Sequence, residues 1–349
     1  MNTVVTIVLA ILLFGLIIFL HELGHFLTAK AFGVKVNEFA LGMGPKIFSF
    51  GKKETRYSLR LFPVGGFCAM EGEDGESEDE RAFGRQKVWK RIIIVAAGAI
   101  MNILLGFLLM MALTVQDDAF KSTTIVATGD AVTVENGAFE SGDRVTAING
   151  YHVYNDYDLN FSLSRYANDP MNFSVVRANG EKVTLTGVTL DYSKITGKDN
   201  GFAFTVQSVP KTFFSVISQS AKSVVSITRL VWASLIDLVT GKYGLDAVSG
   251  PVGTAQVIGE AASQGANFLE SLNNIIWIMA LITVNLGVFN LLPIPALDGG
   301  RLLFLVVEGI RRKPIPPKYE GWVHAAGFVI LIGFMIIVTF NDVWRLIKG

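Results

Sequence analysis

The sequence predicts an α-helical polytopic membrane protein. It has four transmembrane helices, a membrane-associated β-hairpin loop between the first two, and one small β-rich domain outside the bilayer. Three observations predict this. Only 17% of the 349 residues are charged and 51% are hydrophobic, whereas soluble domains carry about 25% charged residues. Four runs, 3–32, 92–115, 274–292 and 322–340, are long and apolar enough to cross about 30 Å of hydrocarbon. Between the second and third, short β-type runs alternate with Gly, Asn and Asp turns.

The first run carries no charge from Thr3 to Leu20 and leads directly into His21-Glu22-Leu23-Gly24-His25. It lacks a basic leading segment, so it reads as a transmembrane helix rather than a cleaved signal. Helical residues four apart share a face. His21 and His25 can therefore bind one metal ion, with Glu22 beside them as general base toward water. The apolar lead-in puts that chemistry inside a bilayer.

Residues 46–61 alternate in a strand-like way around Gly51-Lys52-Lys53, a hairpin signal. Phe62-Pro63-Val64-Gly65-Gly66-Phe67 follows, apolar and turn-rich, and reads as a loop dipping into the membrane. Such backbone survives there only when buried in protein or lining a wet cavity. Tyr57, Leu59 and Leu61 on the hairpin, with Gly65 and Gly66 on the loop, are the expected substrate-binding residues, holding an extended peptide by strand addition. The acidic run Glu71–Glu80 reads as a solvated loop. In the second apolar run, Gly98, Asn102 and Gly106 form a small, polar face suited to close packing against the first helix.

Residues 122–206 form the β-rich domain, with strands expected at 123–127, 144–148, 173–177 and 182–185. Residues 212–240 read as an amphipathic helix at the outer membrane surface, because Arg229 and Asp237 interrupt the apolar stretch. Twelve basic residues lie between Lys30 and Arg91, and Arg311, Arg312, Lys313 and Lys318 precede the last run. Both segments read as cytoplasmic. A fifth span at 223–241 would put the second of them outside. The N-terminus, residues 116–273 and the C-terminal tail then fall outside the cell. The domains expected are 1–115, 116–206, 207–273 and 274–349.

Hydrolytic zinc usually takes three protein ligands, so a third is needed. The single cysteine excludes an intramolecular disulfide and a cysteine-based zinc cluster. His152 lies in the outer domain, His324 opens the last helix as a polar interface residue, and Cys68 sits in the dipping loop as an open alternative. Asp298 is the strongest candidate, within Asn290-Leu291-Leu292-Pro293-Ile294-Pro295-Ala296-Leu297-Asp298-Gly299-Gly300. Two prolines break the helix, two glycines free the backbone, and a carboxylate in apolar company is costly unless paired or metal-bound. The first and third helices both run inward, which brings the two motifs to similar depth. Asn290, one turn before the break, either caps the helix or donates to an oxyanion. The chain carries 30 basic and 30 acidic residues, which gives no basis for nucleic-acid binding. A non-catalytic adaptor would not need the intact metal set. A metal transporter would need more polar ligands along its spans.

Ser141-Gly142-Asp143-Arg144-Val145-Thr146-Ala147-Ile148-Asn149-Gly150 resembles the G-D-x-[IV]-x-x-[IV]-[ND]-G stretch of PDZ domains. The HELGH helix paired with Asn290…Pro293-x-Pro295-x-x-Asp298-Gly299 resembles the motif pair of site-2 proteases. The order of HELGH, membrane loop, PDZ-like domain and LDG motif resembles the RseP/RasP-type intramembrane metalloproteases. Ser249-Gly250-Pro251-Val252-Gly253 also resembles that family's segment before the third helix. The resemblance implies Zn2+ bound by His21, His25 and Asp298, with Glu22 as base. It also implies a multi-pass protein of the cell membrane with its active site toward the cytoplasm. The implied substrates are single-span membrane proteins, such as anti-sigma factors or signal-peptide remnants, first cut outside by a site-1-type protease.

Overall fold

The computed structural model describes residues 3–348 apart from 52, 53, 74, 76, 168, 192–203, 243 and 245–247, so Lys52 and Lys53 of the expected hairpin turn lie outside the described residues. In chain order the elements begin with α1 (Thr3–Ala31), β1 (Val36–Phe50), β2 (Arg56–Met70) and α2 (Val88–Thr114). Next come β3 (Ala119–Thr128), β4 (Val132–Thr133), β5 (Arg144–Ile148), β6 (Tyr151–His152), α3 (Asp156–Arg165), β7 (Met171–Val176), β8 (Lys182–Leu190) and β9 (Phe204–Pro210). The chain ends with α4 (Phe213–Val239), α5 (Pro251–Ser263), α6 (Phe268–Leu291), α7 (Asp298–Arg311) and α8 (Pro317–Lys348). They form two compact units, Met1–Leu109 with Ser234–Gly349, and Met110–Ala233.

Among the described residues, four helical stretches are long and apolar enough to cross a membrane: Ile7–Ala31, Val88–Thr114, Phe268–Leu291 and Lys318–Lys348. The chain is therefore a multi-pass membrane protein. Lipid tails give apolar helices no reason to leave them for one another, so small residues that admit close backbone approach do much of the joining. A Cβ on Gly24 of α1 would lie 2.5 Å from the Ala97 carbonyl oxygen of α2. A Cβ on Gly287 of α6 would lie 2.9 Å from the Ala99 carbonyl oxygen. Thr283 Oγ1 donates to the Asn102 carbonyl at 3.2 Å, which satisfies a polar group that is fully buried on α6. Helix α2 is thus clasped between α1 and α6.

The segment between α1 and α2 corrects the expectation of a short hairpin followed by a loop. Strands β1 and β2 are each 15 residues long and fold into one curled ribbon. Residues 46–50 pair with 57–60, 56–59 pair also with 38–41, and 36–41 pair with 66–70. The Phe62–Phe67 stretch is strand rather than loop. Bends occur at Gly42 (φ +84°), Gly44 (φ +83°) and Gly65 (φ +87°), where a side chain would be strained. Isolated turn signals cannot distinguish a loop from a bent strand. The inner end packs Phe39 and Met70 with Val34, Ile94 and Leu305 in one buried cluster. The acidic run is likewise more than a solvated loop: Lys35 bonds Asp79 at 2.9 Å, Ser77 bonds Glu71 at 2.7 Å, and Glu73 pairs with Arg301.

The second unit carries a sheet in the order β4-β8-β7-β5-β3-β9, with β6 paired to β5. Met171, Phe173, Leu185 and Val188 are fully buried in its core; β7 alternates buried and outward residues as a half-buried strand requires, and a register shift against β8 brings Leu185 and Val188, three apart, to the same core. Asn155 caps α3 by accepting from the Asp158 amide at 3.1 Å. Arg229 of α4 pairs with buried Asp158 at 3.2 Å, which accounts for a cation within the helix's apolar stretch.

Inside the ribbon, Glu38 accepts from Ser58 at 2.5 Å and Arg60 at 2.9 Å, with Lys46 at 3.3 Å. Burial pushes its carboxyl up, but these hydrogen bonds outweigh burial and hold it at about 2 against an ordinary 4.5. A depressed native value stabilises the fold above pH 4.5, and that stability is lost as pH falls toward 2. Glu38→Gln should therefore cost roughly 1 kcal/mol at pH 7. In thermal melts of detergent-solubilised protein, the gap to wild type should narrow steadily as pH falls below 4.5 and vanish only near pH 2. A gap that stays constant would contradict this.

Candidate metal centre

Three elements of the first unit meet at one point. Helix α1 presents His21 and His25 on one face, both 7% exposed. Asp298 arrives from the first turn of α7, where a carboxylate is favoured by the helix dipole. His21 Nε2 lies 3.0 Å from Asp298 Oδ2, His25 Nε2 lies 3.4 Å from it, and the two Nε2 atoms are 3.2 Å apart. A tetrahedral ion with bonds of about 2.0–2.1 Å has ligand–ligand edges of about 3.3 Å. The three atoms match such a face. Among the described residues, no other His, Cys, Asp or Glu joins this cluster.

Neighbouring groups fix the rings. His25 Nδ1–H donates to the Ile94 carbonyl of α2 at 2.9 Å, which leaves Nε2 with its lone pair free for a metal. The Asn102 side-chain amide lies 3.2 Å from His21 Nδ1 and is fully buried. Its nitrogen faces the ring, while its buried oxygen has no hydrogen-bond partner among the described residues. Turning the amide over lets His21 Nδ1–H donate to that oxygen, and His21 Nε2 is then also bare. The orphaned oxygen is what a metal-ligating tautomer of His21 requires, so these residues fit a zinc ion. Gly98 completes the cradle: a Cβ there would clash with His25 Nε2 and lie 2.7 Å from His21. The sequence offered the Gly98, Asn102 and Gly106 face as a packing surface. Two of those residues in fact line the imidazoles.

The helix break behaves differently from expectation. Helix α6 ends at Leu291, and Asn290 sits half-buried on its last turn. Gly299 and Gly300 do not adopt positive φ. Their missing side chains instead make room, since a Cβ on Gly299 would overlap the Leu292 carbonyl and one on Gly300 would lie 2.6 Å from the Ile294 carbonyl. His324 accepts from the Ala296 amide at 3.0 Å through Nδ1. Cys68 is buried on β2, and its backbone N–H donates to Glu22.

The predicted substrate-binding residues separate into two groups. Tyr57 pairs with both Phe39 and Phe50, and Leu59 with both Leu41 and Phe48. Their backbone edges are used, so strand addition at Tyr57 or Leu59 is corrected on geometry. Leu61 adjoins them with its side chain exposed. Among the described residues the 66–70 segment pairs with β1 alone and forms an outer edge. Gly66 lies on that edge, where its Cβ would come 3.2 Å from Glu22 Cγ. Gly65 is the bend just before it.

The model of peptidase family M50 matches residues 9–334. The Regulator of sigma-W protease RasP of Bacillus subtilis is 32% identical, covering 98% of this chain and 99% of that protein. The Zinc metalloprotease RasP of Shouchella clausii is 29% identical, with 98% and 99% covered. A protein of Clostridium perfringens is 35% identical, with 97% and 98% covered. The chain belongs to peptidase family M50, the site-2 proteases, and is a zinc metalloendopeptidase.

Proposed function

We propose that this chain hydrolyses peptide bonds within or beside transmembrane segments of single-span membrane proteins, as the second cut of regulated intramembrane proteolysis. The observation that carries this reading is the depth of the HExxH turn. It belongs to Ile7–Ala31, a helix apolar enough to span a bilayer, rather than to a soluble cleft. Anti-sigma factors and signal-peptide remnants are the substrate classes, already shortened outside by a site-1-type protease. The Bacillus subtilis relative is named for a sigma regulator, which supports the first class.

His21, His25 and Asp298 would hold the zinc. When bound, zinc supplies Lewis acidity, polarising a carbonyl and lowering the pKa of water to about 7. Glu22, next to His21 and against β2, takes a proton from the attacking water and hands it to the leaving amine. Asn290 donates to the developing oxyanion. A peptide bond inside a helix is shielded, so the substrate must unwind first. The 66–70 edge beside Glu22 offers that extended segment backbone partners, and exposed Leu59 and Leu61 give apolar cover near it. The 116–206 domain is PDZ-like and stands outside the membrane, followed by the interfacial 207–273 linker. The N-terminus and C-terminal tail share that side, and the active site opens toward the basic, cytoplasmic side.

Two measurements test this. Glu22→Gln should retain bound zinc yet cut a transmembrane peptide at least about 100-fold more slowly; retained cleavage would refute its role as base. Gly66→Pro breaks the edge. It should slow cleavage of a helical substrate about tenfold more than that of the same peptide pre-unwound by helix-breaking residues. Equal losses would remove strand addition.

A further inference from the structure

The turn that delivers Asp298 is held in a conformation its own sequence does not favour. The Leu297 amide donates to the Ile294 carbonyl at 3.2 Å, which closes a four-residue turn with Pro295 and Ala296 at its centre. Ala296 has φ +75°. Proline at the first central position with positive φ at the second defines a type II turn, whose second central position favours glycine. Alanine there is strained, and the same four residues would form a type I turn without strain. The two turns differ by a flip of the Pro295–Ala296 peptide, which reverses the direction of the Ala296 N–H.

That N–H is the group captured from α8. His324 Nδ1 accepts it at 3.0 Å. The backbone of α8 is brought against the turn one helical turn later, where a Cβ on Gly327 would lie 2.8 Å from the Pro295 carbonyl oxygen. Ala296, Asp298 and His324 also line one cavity of about 430 Å³, so water is at hand to compete for the amide. We propose that His324 is a positioning residue: by accepting from Ala296 it selects the type II turn, and this sets the Asp298 carboxylate at the two histidines. The proposal rests on Asp298 being the third zinc ligand.

The test uses the full chain in detergent, with zinc affinity measured by competition against a chromophoric chelator. Amide hydrogen exchange over residues 293–298 is followed in the zinc-free protein. His324→Ala should weaken zinc binding roughly five- to tenfold and speed exchange at Ala296, with the thermal midpoint little changed. Two variants should recover affinity to within about twofold. His324→Asn keeps an acceptor where Nδ1 stood, and Ala296→Gly combined with His324→Ala makes the left-handed conformation free. Should alanine at 324 not give folded protein, His324→Gln replaces it, since its amide oxygen reaches the Nε2 position instead. Wild-type affinity in His324→Ala, or no recovery in the double variant, would overturn the proposal. Asp298→Asn separates the two levels. If it leaves zinc affinity unchanged, the ligand assignment falls and this proposal with it. If it abolishes binding while His324→Ala does not alter it, only the role of His324 falls.

Discussion

The close crossing of α1 and α2 at Gly24 and Gly98 is the constraint on which the rest of the structure depends. It lets the backbone of α2 lie directly behind the two imidazoles, with a Cβ on Gly98 excluded by His25 and His21. From that position α2 supplies both ring partners, the Ile94 carbonyl and the Asn102 amide. The Nδ1 side of each imidazole is buried against α2, so the neighbouring helix fixes the tautomers. A bulkier residue at either glycine would separate the helices and cost the site its orientation as well as its packing.

The opposite side of the site is built by backbone rather than by side chains. The 66–70 strand edge touches Glu22 through Gly66 and the Cys68 amide, and the ribbon behind it is tied down by Glu38 with Ser58 and Arg60. A strand edge is normally a liability unless it is covered, and on this one the Cys68 and Met70 amides already meet Glu22 and Glu73. Here it stands beside the residue proposed as general base, where an unwound peptide needs partners for its backbone. The same logic explains why Gly299 and Gly300 follow Asp298. The chain reverses so tightly after α6 that their Cβ atoms would meet the Leu292 and Ile294 carbonyls.

Much of this was legible in the sequence because it rests on local rules. An uncharged run leading into HELGH and a Pro-interrupted LDG segment each carry their meaning within about twenty residues. Arg229 and Asp237 sufficed to keep α4 from being taken as a span. What could not be read depended on residues distant in the chain. The ribbon's pairing joins residues 38–41 to two different parts of β2, and no turn signal encodes that. Asn102 was singled out by spacing, but its partner His21 lies 81 residues away. The acidic run resembled a solvated loop because its cations, Lys35 and Arg301, sit in other elements. His324 was set aside as an interface polar group, since nothing local links it to the strained amide of Ala296.

The convergence of His21, His25 and Asp298 is the central claim, and X-ray absorption at the zinc edge of the purified Glu22→Gln protein tests it most directly. The predicted spectrum has two imidazole nitrogens and carboxylate or water oxygens at about 2.0–2.2 Å and no sulfur, and it loses a ligand in Asp298→Asn. A sulfur shell at about 2.3 Å would transfer the third position to Cys68 and contradict the site as built.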